Sequence, residues 1–488
     1  MSFYLSKYLL YYYFLVKYFL DYIRGDKMKM FFAILIAKFT RGILKLLKPI
    51  LNVNGTHVPG KIALKIEPKF LEKVGKPKTI ITVTGTNGKT TTCNMIIDSL
   101  EANGYKVLNN RNGSNVQGGI TTALLDGVKL NNKSKYDIAV LEVDERSSFK
   151  IYPYIKPTYA VITNLFRDSL KRNAHSEYIF DIINKALPET STLILNADDL
   201  ISNRMKAFEK NNKIFFGIDK LETDRKESIN IVNDARICPN CHEPLEYEFV
   251  RYHHIGKAYC KKCGYKSPDA NYLVTKVDYE KNIIKVKHNS EEYDFNMISD
   301  SIFNIYNEIV AITVLSELGL KIEDIQKSME KMEITKARYD KENVNGINII
   351  NHLAKGQNPI ACSIVFDYVK HEKGNKEVIL LIEDYHDNRE SSENIAWLYD
   401  CDFEFLKDES IKRIAVGGIR ANDIKFRLLL AGVEEEKIVA LRDESEIPNN
   451  LLLEKGEDIY ILYDMYEQSI VDNVNKVLKE KILSGGVE

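Results

Sequence analysis

The chain has 488 residues, of which 44% are apolar, and its 68 basic and 69 acidic side chains nearly cancel. A chain of this length and composition is globular, with room for about three domains, which excludes a disordered protein. Because the net charge is −1, nothing favours bulk nucleic-acid binding, which normally requires a basic domain. We therefore expect no nucleic-acid partner and a small-molecule or peptide substrate.

Residues 1–77 are expected to form an apolar and amphipathic helical segment. The run "YLLYYYFLV" at 8–16 is shorter than the roughly 20 residues that cross a bilayer, and no signal-peptide cleavage site follows it. In "FFAILIAKFTRGILKLLKPI", Phe, Ile and Leu lie opposite a helical stripe of basic residues: Lys38, Arg41, Lys45 and Lys48. Two interpretations stay open: residues 1–50 contact an anionic membrane surface, or the helix packs on the next domain with a solvated basic face.

Residues 78–335 alternate between strand and helix patterns, which predicts a doubly wound, mostly parallel α/β domain. The predicted strands are "TIITVT" (79–84), "YDIAVLEVDE" (136–145), "YAVITN" (159–164), "STLILNADD" (191–199) and "KIFFGID" (213–219). In such sheets ligands bind at the carboxyl ends of the strands. Polar residues occur at or just beyond those ends, namely Asn87, Glu142, Asn164 and Asn196. The sequence therefore predicts a ligand site along this edge.

The stretch "TGTNGKTTT" (84–92) follows a strand and opens a helix, the context that a phosphate-binding loop requires. Gly85 and Gly88 let backbone N–H groups approach an anion, Lys89 supplies charge for the β- and γ-phosphates, and Thr90 can ligate Mg²⁺. The spacing is G-x-x-G-K-T, shorter than the full motif, because Val83 replaces the first glycine. We predict ATP binding.

Acidic residues near the same edge suit metal-assisted phosphoryl transfer to a substrate carboxylate, followed by attack of an amine on the acyl phosphate. Glu142 is the candidate magnesium ligand together with Thr90, beside Asp144 and Glu145; solvated strand-end acids are the alternative. The stretch "TNLFRDSL" (163–170) adds Asn164 and Asp168.

Residues 238–263 contain two CxxC pairs separated by eighteen residues. This spacing predicts a structural zinc ribbon within 232–270, with Cys238, Cys241, Cys260 and Cys263 as ligands. Four thiolates complete a tetrahedral site and leave no position at which water could be activated. The three remaining cysteines are scattered, as expected for free thiols in a reducing, cytoplasmic compartment.

The central motifs resemble those of the Mur ligases, ATP-dependent enzymes that form amide bonds on cell-wall peptide precursors. "GTNGKTTT" is similar to their nucleotide loop, "LEVDE" to their magnesium-glutamate segment, and "TNLFRDSL" to their Asn-Asp segment. The resemblance implies that the loop binds the nucleotide through Gly85, Thr86, Asn87, Gly88, Lys89, Thr90 and Thr91. It implies catalytic roles for Lys89, Glu142 and Asp168 and a substrate-binding role for Asn164.

Further segments resemble the stretches that surround the nucleotide in this family. "LNADD" and "FNIYNEIVA" imply adenine-side roles for Asn196, Asn304 and Asn307. Arg338 in "KARYD" lies where the family has a Gly-Arg pair, although the glycine is missing here. The resemblance is close over about residues 30 to 345.

Within the family, the chain looks most like the MurT type and the related archaeal pseudomurein peptide ligases. The features that carry this resemblance are "VPGKIALKI", "NRNGSNVQGGITTALL" and the four-cysteine insert. The fold implied is a P-loop Mur-ligase central domain with a zinc-ribbon insert, followed by a C-terminal α/β domain at 336–488.

The C-terminal domain departs from the MurT pattern. In "SSENIAWLYDCDFE" (391–404), Ser391 and Asn394 replace aspartates that face a glutaminase partner in MurT. An asparagine cannot supply the carboxylate that orients a catalytic histidine, although Asp400 and Asp402 remain. Upstream, "HDNRE" (386–390) resembles the stretch with which amino-acid-adding Mur ligases bind their amino acid. Arg389 would hold its carboxylate there; a polar loop without a ligand is the alternative.

The preferred prediction is an ATP-dependent ligase that joins an amino acid to a carboxylate of a murein or pseudomurein peptide precursor through an acyl phosphate. Its cofactors would be Mg²⁺ and Zn²⁺, and it would be cytoplasmic, at the inner face of the membrane if residues 1–50 contact it. The first alternative is a MurT-like subunit that amidates the precursor with a glutaminase partner. The second is a nucleotide-binding, membrane-associated scaffold.

Overall fold

The computed structural model describes residues 26–51, 56–168, 175–207, 209–330, 332, 339–354, 358–382, 395–464 and 467–484. These residues group into two compact units. The first unit comprises Met1–Leu165, Ile179–Asp224 and Lys257–Met332, and the second comprises Phe166–Tyr178, Arg225–Gly256 and Glu333–Glu488. Residues 225–256, which include the first part of the predicted insert at 232–270, are thus grouped with the C-terminal residues.

The first unit is built on a nine-stranded sheet with the order β11-β10-β9-β6-β5-β4-β1-β3-β2. Its strands are β1 (Thr79–Thr84), β2 (Val107–Asn109), β3 (Ile138–Glu142), β4 (Tyr159–Ile162), β5 (Thr192–Asn196), β6 (Lys213–Ile218), β9 (Tyr272–Asp278), β10 (Ile283–His288) and β11 (Glu291–Asn296). Strands β1 to β6 and β9 run parallel, whereas β10 and β11 complete an antiparallel meander with β9. The predicted doubly wound fold is confirmed.

Helices cover this sheet and supply the apolar layers that a parallel sheet needs on its faces. They are α1 (Asp26–Leu51), α2 (Val58–Ile66), α3 (Phe70–Lys73), α4 (Lys89–Ala102), α5 (Gln117–Gly127), α6 (Ser148–Ile155), α7 (Ser176–Ala186), α8 (Ile302–Glu317) and α9 (Ile322–Met329). Helix α8 is buried along most of its length and packs against α4 and β6. It therefore lies beside the helix that the phosphate loop opens.

The second unit contains a six-stranded sheet with the order β12-β13-β17-β14-β15-β16, parallel except for β12. Its strands are β12 (Tyr339–Val344), β13 (Ile347–Leu353), β14 (Lys376–Leu381), β15 (Ile411–Gly417), β16 (Ile438–Leu441) and β17 (Asp458–Tyr463). Its helices are α10 (Pro359–His371), α11 (Trp397–Asp400), α12 (Ala421–Leu430) and α13 (Gln468–Leu483). Alternate residues of β14 enter two different apolar clusters, because successive side chains of a strand point to opposite faces.

A two-stranded sheet of β7 (Glu246–Tyr252) and β8 (Ile255–Tyr259) stands apart from both large sheets. It lies between the two CxxC pairs in sequence. Such a short hairpin buries too little apolar surface to be stable alone, which is why a metal or a neighbouring surface is needed to hold it.

Glu308 of α8 is fully buried and accepts a hydrogen bond from the Ile298 backbone N–H at 3.2 Å. Burial raises the pKa of its carboxyl to about 8, so the folded protein keeps a proton there over a pH range in which the unfolded chain has lost it. The folded state binds more protons between about pH 5 and pH 8, and its stability must fall as the pH rises through that window.

We expect Glu308→Gln to remove this pH dependence, since glutamine keeps an acceptor for Ile298 but cannot ionise. Relative to the variant, the wild type should lose at most about 1.4 kcal/mol of unfolding free energy per pH unit across the window. Urea unfolding followed by far-UV circular dichroism at pH 5 to 9 measures it. Glu323→Gln, at an exposed position of α9, is the matched control. Parallel pH profiles for the Glu308 variant and the wild type would contradict the assignment.

Candidate active site

The loop between β1 and α4 depends on two glycines with positive φ. Gly85 has φ +129° and Gly88 has φ +85°, a region that residues with a Cβ rarely adopt. A Cβ at Gly85 would collide with the Thr163 side chain and the Asn164 backbone, and one at Gly88 with the Asn307 side chain. Both glycines are therefore required by conformation and by close approach.

Asn164, which follows β4, fixes the shape of this loop. Its backbone oxygen accepts from the Thr86 N–H at 2.8 Å, and its side-chain Oδ1 accepts from the Asn87 N–H at 3.0 Å. Its Nδ2 donates back to the Asn87 carbonyl at 3.1 Å, which also accepts from the Thr163 hydroxyl at 2.7 Å. In the structure, Asn164 thus stabilises the loop conformation through hydrogen bonds. Its role in substrate binding stays a prediction.

Lys89 is held at the first turn of α4 by acceptors within its own unit. Its Nζ lies 2.6 Å from Glu145 Oε1 and donates to the Gly85 carbonyl at 2.5 Å. Glu145 is buried and the lysine is largely so, so little water screens this pair. The ammonium therefore lies over the loop. A bound phosphate would replace one or both of these acceptors, the Glu145 carboxylate and the Gly85 carbonyl.

Thr90 and Glu142 come together as the predicted magnesium pair. The Thr90 hydroxyl donates to Glu142 Oε2 at 2.7 Å, and Asn115 Nδ2 donates to Glu142 Oε1 at 3.0 Å. Asn110 fixes the backbone of Glu142, because it accepts from its N–H and donates to its carbonyl, both at 2.9 Å. A hydroxyl and a carboxylate are oxygen donors of the kind that Mg²⁺ binds beside nucleotide phosphates, so this set fits the ion.

Asn110 and Asn115 were not predicted from sequence as functional residues. The signal was present, because both follow the short strand β2, whose carboxyl end lies on the same edge as those of β1 and β3. Asp144, in contrast, caps a short 3₁₀ turn through its side chain, which accepts from the Ser147 N–H. Asp144 and Glu145 thus have structural partners, and Glu142 is the acid that meets Thr90.

The asparagines of α8 reach the loop from its other side. Asn307 Oδ1 accepts from the Thr92 hydroxyl at 3.3 Å, and its Nδ2 donates to Asn304 Oδ1 at 3.3 Å. Asn196, which ends β5, is buried; its Oδ1 accepts from the Asp198 N–H at 3.0 Å. The two α8 asparagines therefore lie at the loop. Asn196 supports the turn after its own strand and also donates through Nδ2 to the Thr163 carbonyl at 3.4 Å.

The remaining predicted site residues lie away from the loop, within α4, or outside the described residues. Asp168 lies in the second unit, where its carboxylate accepts from Asn358 Nδ2 at 3.1 Å. Thr91 is half-buried in the first turn of α4. Arg338 and Arg389 lie outside the described residues, as do Ser391 and Asn394.

The four paired cysteines form a donor cluster, as predicted. One Sγ from each of Cys238, Cys241, Cys260 and Cys263 lies within 4.8 Å of the others. Zinc bonds sulfur at about 2.3 Å, which separates the sulfurs of a tetrahedral site by a little under 4 Å. The cluster therefore fits zinc after a small contraction.

The two CxxC pairs fold as similar turns. In each, the residue after the second cysteine has positive φ, His242 at +62° and Gly264 at +74°. Its N–H donates to the carbonyl of the first cysteine, at 3.0 Å in both turns. The remaining cysteines, Cys93, Cys362 and Cys401, are buried. Burial raises the pKa of Cys93 and Cys401, which keeps them as unreactive thiols.

Within the second unit, the acidic stretch after α11 makes contacts of its own. Asp402 is buried; it accepts from the Ile231 N–H at 2.6 Å and from Asn230 Nδ2 at 2.9 Å. Asp400 pairs with Arg167 at 3.2 Å, and Arg167 also pairs with Asp234 at 2.7 Å. The start of the insert is thus fastened to the C-terminal fold by charge-assisted hydrogen bonds.

Two family models match the chain. The Mur ligase middle domain matches residues 83–315, and the MurT ligase C-terminal model matches residues 355–466. The first match covers the loop and the sheet that positions it, and the second covers most of the six-stranded sheet. Fold and loop together define an ATP-dependent Mur-type ligase.

The curated relatives refine this class. The chain is 32% identical over 414 residues to the lipid II isoglutaminyl synthase (glutamine-hydrolyzing) subunit MurT of Staphylococcus aureus, covering 84% of this chain and 90% of that protein. It is 30% identical over 413 residues to the same subunit of Streptococcus pneumoniae, with the same shares covered. The chain therefore belongs to the MurT family of Mur ligases.

Solved structures support the fold. A pseudomurein peptide ligase type C from Methanothermus fervidus aligns with a TM-score of 0.62 at 21% identity, covering 83% of this chain and 81% of the other. A MurF ligase from Thermotoga maritima in complex with ADP aligns with a TM-score of 0.54 at 16% identity, covering 88% and 84%. At these identities the likeness concerns the fold alone.

We expect Cys263→Ser to lower the zinc content of the purified protein from about one ion per chain towards zero, whereas Cys263→His should retain it, because imidazole completes many structural zinc sites. Elemental analysis after gel filtration gives the ratio. If Cys263→Ser kept as much zinc as the wild type, the ion would have to be bound elsewhere.

Asp402→Asn should lower the stability of the second unit. The amide replaces one carboxylate oxygen with an NH₂ donor, which would face the Ile231 N–H or the Asn230 side-chain amide. The expected loss is about 1–3 kcal/mol of unfolding free energy. The sole tryptophan, Trp397, is buried in α11 of the same unit, so its fluorescence in urea reports this loss. Asp423→Asn, which removes a partly exposed ion pair with Arg420, should cost far less. Equal losses for the two variants would contradict the structural role of Asp402.

Proposed function

We propose that this chain is the ligase subunit of a glutamine-dependent amidotransferase that converts a carboxylate of a lipid-linked cell-wall peptide precursor into an amide. The observation that carries the proposal is the match to two MurT subunits over 90% of their length, including the C-terminal domain. The name of those subunits assigns lipid II and glutamine hydrolysis to those proteins. We carry both over here: lipid II as the class of substrate and a glutaminase as the partner that supplies ammonia.

The chemistry follows from the loop. A carboxylate oxygen of the precursor attacks the γ-phosphorus of ATP, which releases ADP and leaves an acyl phosphate. The nitrogen lone pair of ammonia then attacks the acyl carbon, the C–O bond to phosphate breaks, and one proton is lost as the amide forms. Lys89 and the loop N–H groups stabilise the charge that develops on the transferred phosphoryl group.

Mg²⁺, held by Thr90 and Glu142, would neutralise phosphate charge and keep the transferred group in line. Asn115 orients the Glu142 carboxylate for this task through its 3.0 Å hydrogen bond, as partners behind a metal ligand generally do. Asn304 and Asn307 are proposed at the adenine side, Arg338 beside the nucleotide, and Asp168 and Asn164 in catalysis and substrate binding. Zn²⁺ in the four-cysteine cluster is proposed to be structural.

Addition of an amino acid is the second candidate. Ser391 and Asn394 in place of two acids, and the stretch "HDNRE" with Arg389, favour it. These motifs favour amino-acid addition, whereas the relatives matched over 90% of their length favour amidation. A nucleotide-binding scaffold is the third candidate, and no described contact favours it over a ligase.

The remaining proposals concern organisation and location. We propose domain boundaries at 1–77, 78–335 and 336–488, with the insert at 232–270. We also propose a cytoplasmic protein that reaches its lipid-linked substrate at the inner face of the membrane, with peripheral membrane contact through residues 1–50.

We expect the purified chain, together with a glutaminase subunit, glutamine, Mg²⁺, ATP and lipid II, to release ADP and amidated lipid II, detected by mass spectrometry. Lys89→Ala should lower the rate by about a hundredfold or more. Lys185→Ala, which removes an exposed lysine paired only along its own helix with Asp181, should leave it unchanged.

Other outcomes separate the three candidates. A product extended by an added amino acid, formed without glutamine, would replace amidation with the second candidate. ATP binding without ADP release under every substrate combination would favour the scaffold.

A further inference from the structure

Helix α1 is docked on the first unit by one face only. Met30, Ala33, Ile34 and Ala37 are buried on that face, and the helix packs against α2 and α5. Two basic side chains strengthen the docking. Lys38 donates to the Leu125 carbonyl at 2.8 Å, and Arg41 pairs with Asp126 at 3.0 Å. The inward side of α1 is thus aliphatic at its centre and cationic at one border.

The outward side of α1 is apolar. The large apolar residues exposed on it are Met28, Phe31, Leu35, Phe39, Ile43 and Leu46, which we call the outer apolar face. They recur at intervals of three or four residues, so they form one stripe, about 27 Å long at 1.5 Å per residue. Phe39 is 61% exposed and Leu46 is 77% exposed. A continuous exposed stripe of this size indicates an interaction surface.

This arrangement differs from one of the two interpretations drawn from the sequence. A helix that merely packs on its domain was expected to turn apolar residues inward and a basic stripe to solvent. In the structure, two of the basic residues are anchored on α5, and Phe and Leu residues face outward. Packing within the described residues therefore does not account for the outer apolar face.

The basic residues of α1 indicate which kind of surface the outer apolar face binds. Residues 27–46 contain no Asp or Glu, and their basic residues are Lys27, Lys29, Lys38, Arg41 and Lys45. At 100° per residue, Lys27 and Lys45 lie along one border of the outer apolar face and Lys29 lies along the other, whereas Lys38 and Arg41 bond inward to α5. Apolar side chains flanked by lysines characterise helices that lie in the interface of an anionic membrane.

Other occupants are disfavoured by the same charges. A second copy of α1 would bring Lys27, Lys29 and Lys45 against the same three lysines. Residues 1–25, although apolar, carry Lys7, Lys17 and Arg24 against one acid, Asp21, so this segment also repels the lysine borders. Among the described residues, no helix is both long and apolar enough to cross a bilayer, which leaves the surface orientation for α1.

We propose that the outer apolar face of α1 lies on an anionic lipid bilayer, with its apolar side chains among the acyl chains and its lysines at the headgroups. The significance of this contact rests on the proposed function, because the membrane-bound protein would then encounter its lipid-linked precursor at the membrane surface. The contact itself needs neither nucleotide, precursor nor partner, so it can be tested separately from that function.

The test is flotation of the full chain with lipid vesicles, without ATP or partner. We expect binding to vesicles with about one-third phosphatidylglycerol, and at least tenfold weaker binding to pure phosphatidylcholine vesicles or in about 0.5 M salt. The double variant Leu35→Ser/Phe39→Ser should bind at least tenfold more weakly, because it removes two apolar side chains from the face.

The matched control is Phe426→Ser/Leu430→Ser, which removes two equally exposed apolar residues of α12 and should bind as the wild type does. Lys27→Gln/Lys45→Gln should weaken binding to the anionic vesicles only. Both α1 variants concern outward side chains, so their thermal unfolding should match the wild type.

Three results would overturn the proposal: no vesicle binding by the wild type, equal binding by Leu35→Ser/Phe39→Ser, or loss of binding on deletion of residues 2–25 alone. A dimer of the wild type that Leu35→Ser/Phe39→Ser dissociates would replace the bilayer with a second copy. None of these results bears on the amidation assay, which is scored by ADP release and amidated product, and failure of that assay leaves vesicle binding unaffected.

Discussion

The amide side chain of Asn164 fixes the shape of the nucleotide loop, and the rest of the site depends on that shape. Strands β1 and β4 are parallel neighbours, so the residues that follow them meet at one edge of the sheet. Asn164 uses its backbone oxygen and both side-chain atoms on the loop residues Thr86 and Asn87. This bonding holds the loop backbone in place before any ligand arrives, which reduces the reorganisation that phosphate binding would otherwise require. Lys89 and Thr90 begin α4 in the position that the loop dictates.

The strand-loop-helix pattern around "TGTNGKTTT" was predictable, because hydrophobic periodicity and glycine spacing are local signals. The meeting of Thr90 with Glu142 was also predictable, since the carboxyl ends of parallel strands share an edge. The brace formed by Asn164 and the support of Glu142 by Asn110 and Asn115 were not, because such hydrogen bonds depend on side-chain directions that sequence spacing does not give. The outward direction of the apolar residues of α1 was left open between two interpretations for a related reason: amphipathicity identifies two faces without saying which one is covered.

The second unit changes the interpretation of the acidic stretch near residue 400. On sequence alone, Asp400 and Asp402 are the carboxylates left to face a glutaminase. In the structure, Asp402 is buried against the start of the insert and Asp400 pairs with Arg167. A buried carboxylate with two donors is held too firmly to serve a partner as well. Asp402 is therefore not available to the glutaminase partner proposed above. The residues at the start of the insert are also tied to the C-terminal fold, since Asn230 and Ile231 both donate to Asp402.

The pairing of Lys89 with Glu145 has a consequence for ligand selection. The lysine is already neutralised by an internal carboxylate at 2.6 Å and by a loop carbonyl. An incoming anion must compete with this internal anion rather than fill a bare cation. Sulfate or inorganic phosphate, with few other contacts, gains little from the exchange. A triphosphate offers oxygens to the loop N–H groups as well as to the lysine, so it can make more contacts in exchange for the displaced carboxylate. The Lys89–Glu145 ion pair thus raises the free-energy cost of binding an anion at the lysine alone.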